Sequence, residues 1–161
     1  MLNEKEIKDW FVAEVRERMD DLGLRPYHMS PLCHIKYDSL STYLSGLALP
    51  NPWSLVLMAE HLEASVDELL GYEGLDDVNY EPYLASAMYR DKEQFATCVS
   101  DRLKRYFNKQ GLTVDDVSDK TGVSISTLKR WTSSRPTLPR TWDLLRLCDG
   151  LDCTPSELLG Y

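Results

Sequence analysis

The sequence predicts an all-α protein made of two consecutive units, each with four or five short helices. Apolar residues recur every three or four positions, and no segment shows the alternation of a β-strand. The chain also repeats itself, because Glu-Leu-Leu-Gly-Tyr ends at Tyr72 and again at Tyr161. Trp53 matches Trp142 at the same offset of 89, which becomes 88 further upstream. A one-residue length change therefore falls in a loop after Tyr43.

This repeat divides the 161 residues into two domains and a connector. We predict domains at residues 1–72 and 91–161, each large enough to fold alone. Residues 73–90 form an acidic connector, and apolar residues three to four apart after Pro82 indicate a helix in it: Tyr83, Leu84, Ala87 and Met88. Two roles remain open for this helix, a rigid continuation into the second unit or a docking element.

The first helix of each unit is predicted from a stripe of four apolar side chains. Residues of the cap type precede both stripes, namely Asn3 with Glu6 and Asp91 with Gln94. The stripes are Ile7, Phe11, Val15 and Met19 in the first unit, and Phe95, Val99, Leu103 and Phe107 in the second.

Each later helix of the second unit has its own start signal, a hydroxyl residue or a proline. A glycine marks the turn between the second and third helices, because glycine adopts positive φ at little cost. The signals are Thr113 for the second helix, Gly122 for the turn, Ser124 for the third helix, which ends at Trp131, Thr137 and Pro139 for the fourth, and Thr154 with Glu157 for the fifth.

A short helix, a glycine turn and a helix that begins at a hydroxyl residue form a helix-turn-helix arrangement. Residues 112–131, the proline-containing loop after them and the final Pro-Ser-Glu-Leu-Leu resemble the phage-repressor-like (Cro/repressor, XRE) helix-turn-helix family. The resemblance covers residues 95–161, and residues 7–72 are similar to the family more loosely. It implies two tandem lambda-repressor-like domains, the first divergent, in a bacterial or phage transcription regulator that binds double-stranded DNA as a homodimer.

In this family the third helix enters the major groove by its N-terminal end, and the resemblance extends that role to this chain. Hydroxyl groups there can donate to phosphate, and an arginine can bridge guanine O6 and N7 with two hydrogen bonds. The residues expected at the DNA are Thr113, Ser124, Ser126, Thr127, Lys129, Arg130, Arg135 and Arg140.

Simpler interpretations compete with these roles. Ser124 and Thr127 can act only in capping, and Lys129 with Arg130 can be an ordinary solvated pair. Aspartates on the second helix would repel a phosphate backbone, and they are Asp115, Asp116 and Asp119. The repeated aromatic positions are interpreted as core packing, and they are Tyr43, Trp53, Trp131 and Trp142.

The first unit departs from the family pattern in the second helix, the turn, the third helix and the loop after it. Because its cations are gone, we expect it to make no DNA contact. Pro31 stands in place of Asp119, His34 in place of Gly122, Tyr37 and Asp38 in place of Ile125 and Ser126, Ser41 and Thr42 in place of Lys129 and Arg130, and Leu47 in place of Arg135.

The net charge of −8 is unevenly distributed. Residues 1–72 carry 6 Lys and Arg against 12 Asp and Glu, whereas residues 95–161 carry 10 against 8. Only the second unit can therefore approach a polyanion readily. An alternative function follows from the acidic residues 1–94, which could engage a basic protein partner. The protein would then be an interaction adaptor, antitoxin-like or inhibitor-like.

Other classes of protein lack support in the sequence. No glycine-rich phosphate loop, nucleophile set or metal-ligand spacing occurs, so we expect no enzyme, no cofactor and no metal. His28, Cys33 and His34 lack a fourth ligand, and Cys148 and Cys153 match alanines, as core thiols would. No apolar run is long enough for a membrane span, and the N-terminus lacks the pattern of a signal peptide. We therefore expect a cytoplasmic protein.

Overall fold

The structure, a computed structural model, describes residues 3–72 and 91–159. Within these ranges the regular structure is entirely helical, which confirms the all-α prediction. The chain forms two compact units, Met1–Ala85 and Ser86–Tyr161. The helix predicted in residues 73–90 lies outside the described residues, and the predicted domain boundaries stay a prediction.

Five helices are described in each unit. Each helix of the second unit starts 88 or 89 residues after its counterpart, with the change of offset falling between the third and fourth helices. The first unit contains α1 (Glu4–Asp21), α2 (Pro26–Leu32), α3 (Tyr37–Leu44), α4 (Pro52–His61) and α5 (Val66–Leu70). The second contains α6 (Lys92–Lys109), α7 (Val114–Thr121), α8 (Ile125–Trp131), α9 (Thr141–Leu151) and α10 (Pro155–Leu159).

Each unit has its own hydrophobic core, which is centred on its long first helix. The apolar stripes predicted on α1 and α6 are buried along their whole length. Phe11 and Phe95 are both 0 % exposed, and each such side chain contributes roughly 1.5–3 kcal/mol of burial free energy. Of the four aromatic residues interpreted as core, Trp131 is buried at 3 %, whereas the other three are only partly buried.

Side-chain caps fix the helix starts at the predicted residues. Asn3 Oδ1 accepts from the backbone N–H of Glu6 at 2.8 Å, and Glu6 Oε2 accepts from the backbone N–H of Asn3 at 3.2 Å. Thr154 and Glu157 form the same reciprocal pair at α10, and Asp91 accepts from Gln94 N–H at 2.9 Å. A cap of this kind stabilises a helix by about 1 kcal/mol.

The predicted start of the fourth helix in the second unit was wrong. Thr137 and Pro139 precede α9, which begins at Thr141 with Arg140 as its N-cap. Proline disfavours the helical conformation of the residue before it, so Pro139 disfavours a helix that includes Leu138. Residues 136–140 have no regular secondary structure and lead into the helix.

The first unit keeps the turn between its second and third helices without glycine. His34 has φ of 53°, in the left-handed region that Gly122 adopts at 74° in the second unit. Histidine is one of the few residues that enter this region with some frequency. Pro31 is the next-to-last residue of α2, so the donor that it lacks affects only the end of the helix.

None of the helices in the described ranges is long and apolar enough to span a membrane.

Candidate nucleic-acid interface

The exposed side of α8 is the candidate surface for contact with a nucleic acid. Leu128 and Trp131 face the core at 0 % and 3 % exposure. Because successive residues of a helix are rotated by about 100°, the opposite side carries the four exposed residues of α8. We call these four residues the α8 face: Ile125, Ser126, Lys129 and Arg130.

Hydroxyl groups at the start of α8 form a small hydrogen-bonded cluster. Ser124 caps the helix, since its Oγ accepts from Thr127 N–H at 3.2 Å, as predicted. The same Ser124 Oγ donates to Thr127 Oγ1 at 2.7 Å and lies 3.3 Å from Ser126 Oγ. Arg130 Nη2 also donates to Thr127 Oγ1, at 3.3 Å. The guanidinium of Arg130 is thereby held toward the N-terminal end of α8.

Thr113 lies at the start of α7, where its side chain is engaged in a cap. Its Oγ1 accepts from Asp116 N–H at 3.1 Å, and Asp116 Oδ2 accepts from Thr113 N–H at 2.9 Å. These bonds from Thr113 lower the pKa of the Asp116 carboxyl, which therefore stays ionised. Asp115 and Asp119 are exposed on the same helix, so α7 presents negative charge.

Three of the predicted cations are exposed and unpaired. Lys129 is on the α8 face, Arg135 is in the loop after α8, and Arg140 is the N-cap residue of α9. Within the part of the chain that the structure describes, none of these three side chains makes a hydrogen bond or an ion pair. A cation with no internal partner can reach a phosphate without first breaking a bond.

Arg146 of α9 holds the turn that precedes α8, a role that the sequence reasoning missed. Its Nη2 donates to the backbone oxygen of Gly122 at 2.6 Å, and its Nη1 lies 3.4 Å from Asp143 Oδ1. The two bonded residues are 24 positions apart in the sequence, so no local sequence pattern predicts the bond. Arg146 therefore fixes the geometry of the turn rather than offering its charge to a ligand.

A second contact that the sequence reasoning missed joins α9 to the end of α7. A Cβ atom on Gly150 would lie 2.6 Å from the backbone oxygen of Lys120 and 2.8 Å from Thr121 Cγ2. The two helices approach this closely only because residue 150 has no side chain. A glycine inside a helical pattern was the available signal. Its counterpart in the first unit is His61.

The surface of α3 that corresponds to the α8 face carries no cation. Tyr37 is 54 % exposed, and Asp38 and Ser41 are exposed beside it. Thr42 is partly buried, and its Oγ1 donates to Asp38 O at 3.0 Å. The surface of α3 therefore has no positive charge at the two positions that the sequence aligns with Lys129 and Arg130.

The arginines of α1 in the first unit serve the fold. Arg16 Nη2 donates to the backbone oxygen of Leu44 at 3.0 Å. Arg18 Nη1 donates to the backbone oxygen of Glu63 at 3.1 Å, and Arg18 also pairs with Glu14 and Glu68. These internal bonds reduce what the first unit can offer to a polyanion.

Three cysteines and His28 have structural roles. Burial, with a smaller effect of Glu60, raises the pKa of Cys33 to about 12. Cys148 and Cys153 are buried at 1 % and 8 % exposure, as core thiols are. His28 Nδ1 accepts from Arg25 N–H at 3.0 Å at the start of α2. Across residues 3–72 and 91–159, no group of three or more His, Cys, Asp or Glu side chains could hold a metal.

Comparison with protein families agrees with the geometry of the second unit. Residues 102–161 match the Cro/C1-type HTH DNA-binding domain. The match starts inside α6 and includes α7 and α8 with the turn between them, and it does not reach the first unit. No curated protein and no solved structure matches the chain.

The second unit therefore contains one Cro/C1-type helix-turn-helix domain, in which α8 is the second helix of the motif. A domain of this type points to a DNA-binding regulator.

Proposed function

We propose that the protein is a sequence-specific DNA-binding transcriptional regulator that reads the major groove with α8. The observation that carries this proposal is the α8 face, which presents an exposed hydroxyl and two exposed cations on a helix-turn-helix domain. In such motifs the second helix lies in the major groove, with its N-terminal residues at the base edges. Arg130 is already held toward that end by Thr127.

The environments of the side chains suggest separate roles. We propose that Arg130 and Ser126 contact base edges, where a bidentate arginine–guanine contact gives about 1–3 kcal/mol of discrimination. Lys129, Arg135 and Arg140 are exposed and unpaired among the described residues, as phosphate contacts require. The side chains of the remaining predicted residues already make hydrogen bonds within the domain, and we propose that they position the two helices rather than contact DNA directly. These residues are Thr113, Ser124 and Thr127.

We further propose that the first unit is a divergent copy of the second and does not bind DNA. The support is the matching order of five helices and the left-handed residues at equivalent turns, His34 and Gly122. Its α3 has Ser41 and Thr42 at the positions where α8 has the cations Lys129 and Arg130. One small reading domain binds weakly, so we propose a homodimer on a two-fold site with half-sites about 34–36 Å apart.

The test is a mobility shift at about 100 mM salt with genomic fragments, including the region upstream of the gene. We expect discrete high-affinity fragments. Arg130→Ala should reduce the preference for these fragments over random DNA. Arg135→Ala should weaken all binding and reduce the salt slope by about 0.9. Arg105→Ala, an exposed arginine of α6, is the matched control. Identical isotherms for all four proteins would refute the assignment.

A second candidate function is supported by the apolar surface of the first unit. Of the large hydrophobic side chains exposed in the described ranges, all but Ile125 belong to this unit: Trp10, Leu22, Tyr27, Leu32, Tyr37 and Leu47. Tyr27 and Leu32 line one pocket together with Leu24, and apolar groups that lie together are typical of protein-binding surfaces. Because residues 1–72 carry 6 Lys and Arg against 12 Asp and Glu, the protein would then be an adaptor for a basic partner. Recovery of a stoichiometric basic protein from nuclease-treated lysate, with no enriched DNA fragment, would favour this candidate.

A further inference from the structure

Ile125 is an apolar side chain on an otherwise polar surface. It is the first residue of α8 and, at 38 % exposure, the one exposed large hydrophobic side chain among the described residues of the second unit. The inward side of α8 is formed by Leu128 and Trp131, which are 0 % and 3 % exposed. Ile125 is therefore not part of that core.

The register of α8 places Ile125 among the groups proposed to face DNA. It lies four residues before Lys129 and thus in the same row of the helix surface, beside the row of Ser126 and Arg130. Along the helix axis, Ile125 and Arg130 are separated by about 7.5 Å, roughly the height of two base pairs. Ile125 would meet a base close to the one that Arg130 contacts.

The major groove offers one apolar group to such a side chain, the 5-methyl group of thymine. The other exposed edge groups are hydrogen-bond donors or acceptors, and isoleucine would bury them without a partner. We propose that Ile125 contacts the 5-methyl group of a thymine, so that the binding site carries a 5-methylpyrimidine within about three base pairs of the base that Arg130 contacts. This inference rests on the proposed function and adds one feature of the site that it recognises.

The probe is a DNA duplex selected by the full-length protein from a random-sequence library. In that duplex each thymine is replaced by uracil, one position at a time, which removes the methyl group and keeps every hydrogen-bonding group. We expect one position, or its symmetric pair, at which Kd rises about fourfold. Cytosine and 5-methylcytosine at the same position, opposite guanine, should differ by a similar factor. That difference would show that the methyl group, rather than the thymine O4, is recognised.

Two variants connect the effect to the side chain. Ile125→Ser should bind the thymine and uracil duplexes equally, whereas Ile125→Val should keep part of the difference. Because Ile125 lies outside the core, both variants should retain the helical circular dichroism of the parent protein. Lys129→Ala, in the same row, is the matched control and should weaken binding to both duplexes while leaving their ratio unchanged.

The outcomes separate this inference from the proposed function. Selected duplexes whose Kd is insensitive to every uracil would overturn the inference and leave sequence-specific binding intact. The same holds if Ile125→Ser retains the fourfold difference. Failure to enrich any sequence from the library would refute the proposed function, and the inference with it.

Discussion

Substitution of Gly150 by alanine tests whether close packing of α9 on α7 supports the helix-turn-helix. The added Cβ would lie 2.6 Å from Lys120 O and 2.9 Å from Thr121 Cα, and backbone atoms cannot rotate away. Overpacking of this kind costs about 1–3 kcal/mol, and contact with backbone favours the upper half of that range. Alanine is also the better helix former by about 0.5–1 kcal/mol, which offsets part of the loss. We therefore expect the second unit to lose about 1–2 kcal/mol of unfolding free energy.

The assay must report on each unit separately, because two compact units need not unfold together. Pulse-labelling hydrogen exchange along a urea series does this, since peptides from α7 and α9 report the second unit. Peptides from α1 serve as an internal reference that should not change. Asp149→Ala, an exposed neighbour on α9, is the matched control and should shift stability by no more than about 0.5 kcal/mol.

The sign of the change decides between two explanations. If helix propensity alone mattered, Gly150→Ala would stabilise the second unit by up to about 1 kcal/mol. A variant that is as stable as the parent protein, or more stable, would refute the close approach of α9 to Lys120. A variant destabilised as expected should also bind selected DNA more weakly, because the end of α7 leads into the turn before α8.

Three further predictions concern the same unit. Arg146→Met should lower its stability by about 1 kcal/mol, since the bond to Gly122 O is lost, and Arg146→Lys should not restore it; full stability of either variant in the exchange assay would contradict this role. Ser100→Ala should raise stability by about 1 kcal/mol, because the buried Oγ of Ser100 has no partner within the described residues; a lower stability would reveal one. Thr127→Val should weaken DNA binding about three- to tenfold, whereas Thr127→Ser should not, because Thr127 Oγ1 holds Arg130. In an Arg130→Ala background Thr127→Val should have a much smaller effect, and an undiminished effect would show that the two residues act separately.

Local signals explain what the sequence could predict. The cap at Ser124 and the buried stripe from Phe95 to Phe107 depend on residues three or four apart, so both could be predicted from the sequence. The start of α9 was misplaced because Thr137 and Pro139 also form a plausible start signal, whereas the helix begins at Thr141 after Arg140, whose side chain makes no cap bond. A helix that starts without a side-chain cap has no such local signal in the sequence.

The candidate site was only partly predictable for a related reason. Lys129 and Arg130 were foreseeable as outward residues, because Leu128 and Trp131 define the inward side of the helix. The same helical register also exposes Ile125, four residues before Lys129. Arg146 supports the turn through a hydrogen bond to Gly122, which is distant in the sequence, so this contact could be found only in the structure.

The weak charge of the second unit explains why this support matters. Residues 95–161 carry 10 cationic against 8 acidic side chains, and the acidic ones include Asp115 and Asp119 on α7. Non-specific attraction to phosphate, which supplies much of the affinity of strongly basic domains, is therefore small here. Under the proposed function, affinity for a particular site would then come from direct contacts of the α8 face, and such contacts depend steeply on the position of the helix. A turn held by Arg146 and a contact that only Gly150 permits provide that precision. The first unit has neither feature, because the sequence repeat aligns His61 with Gly150 and α3 carries no cation.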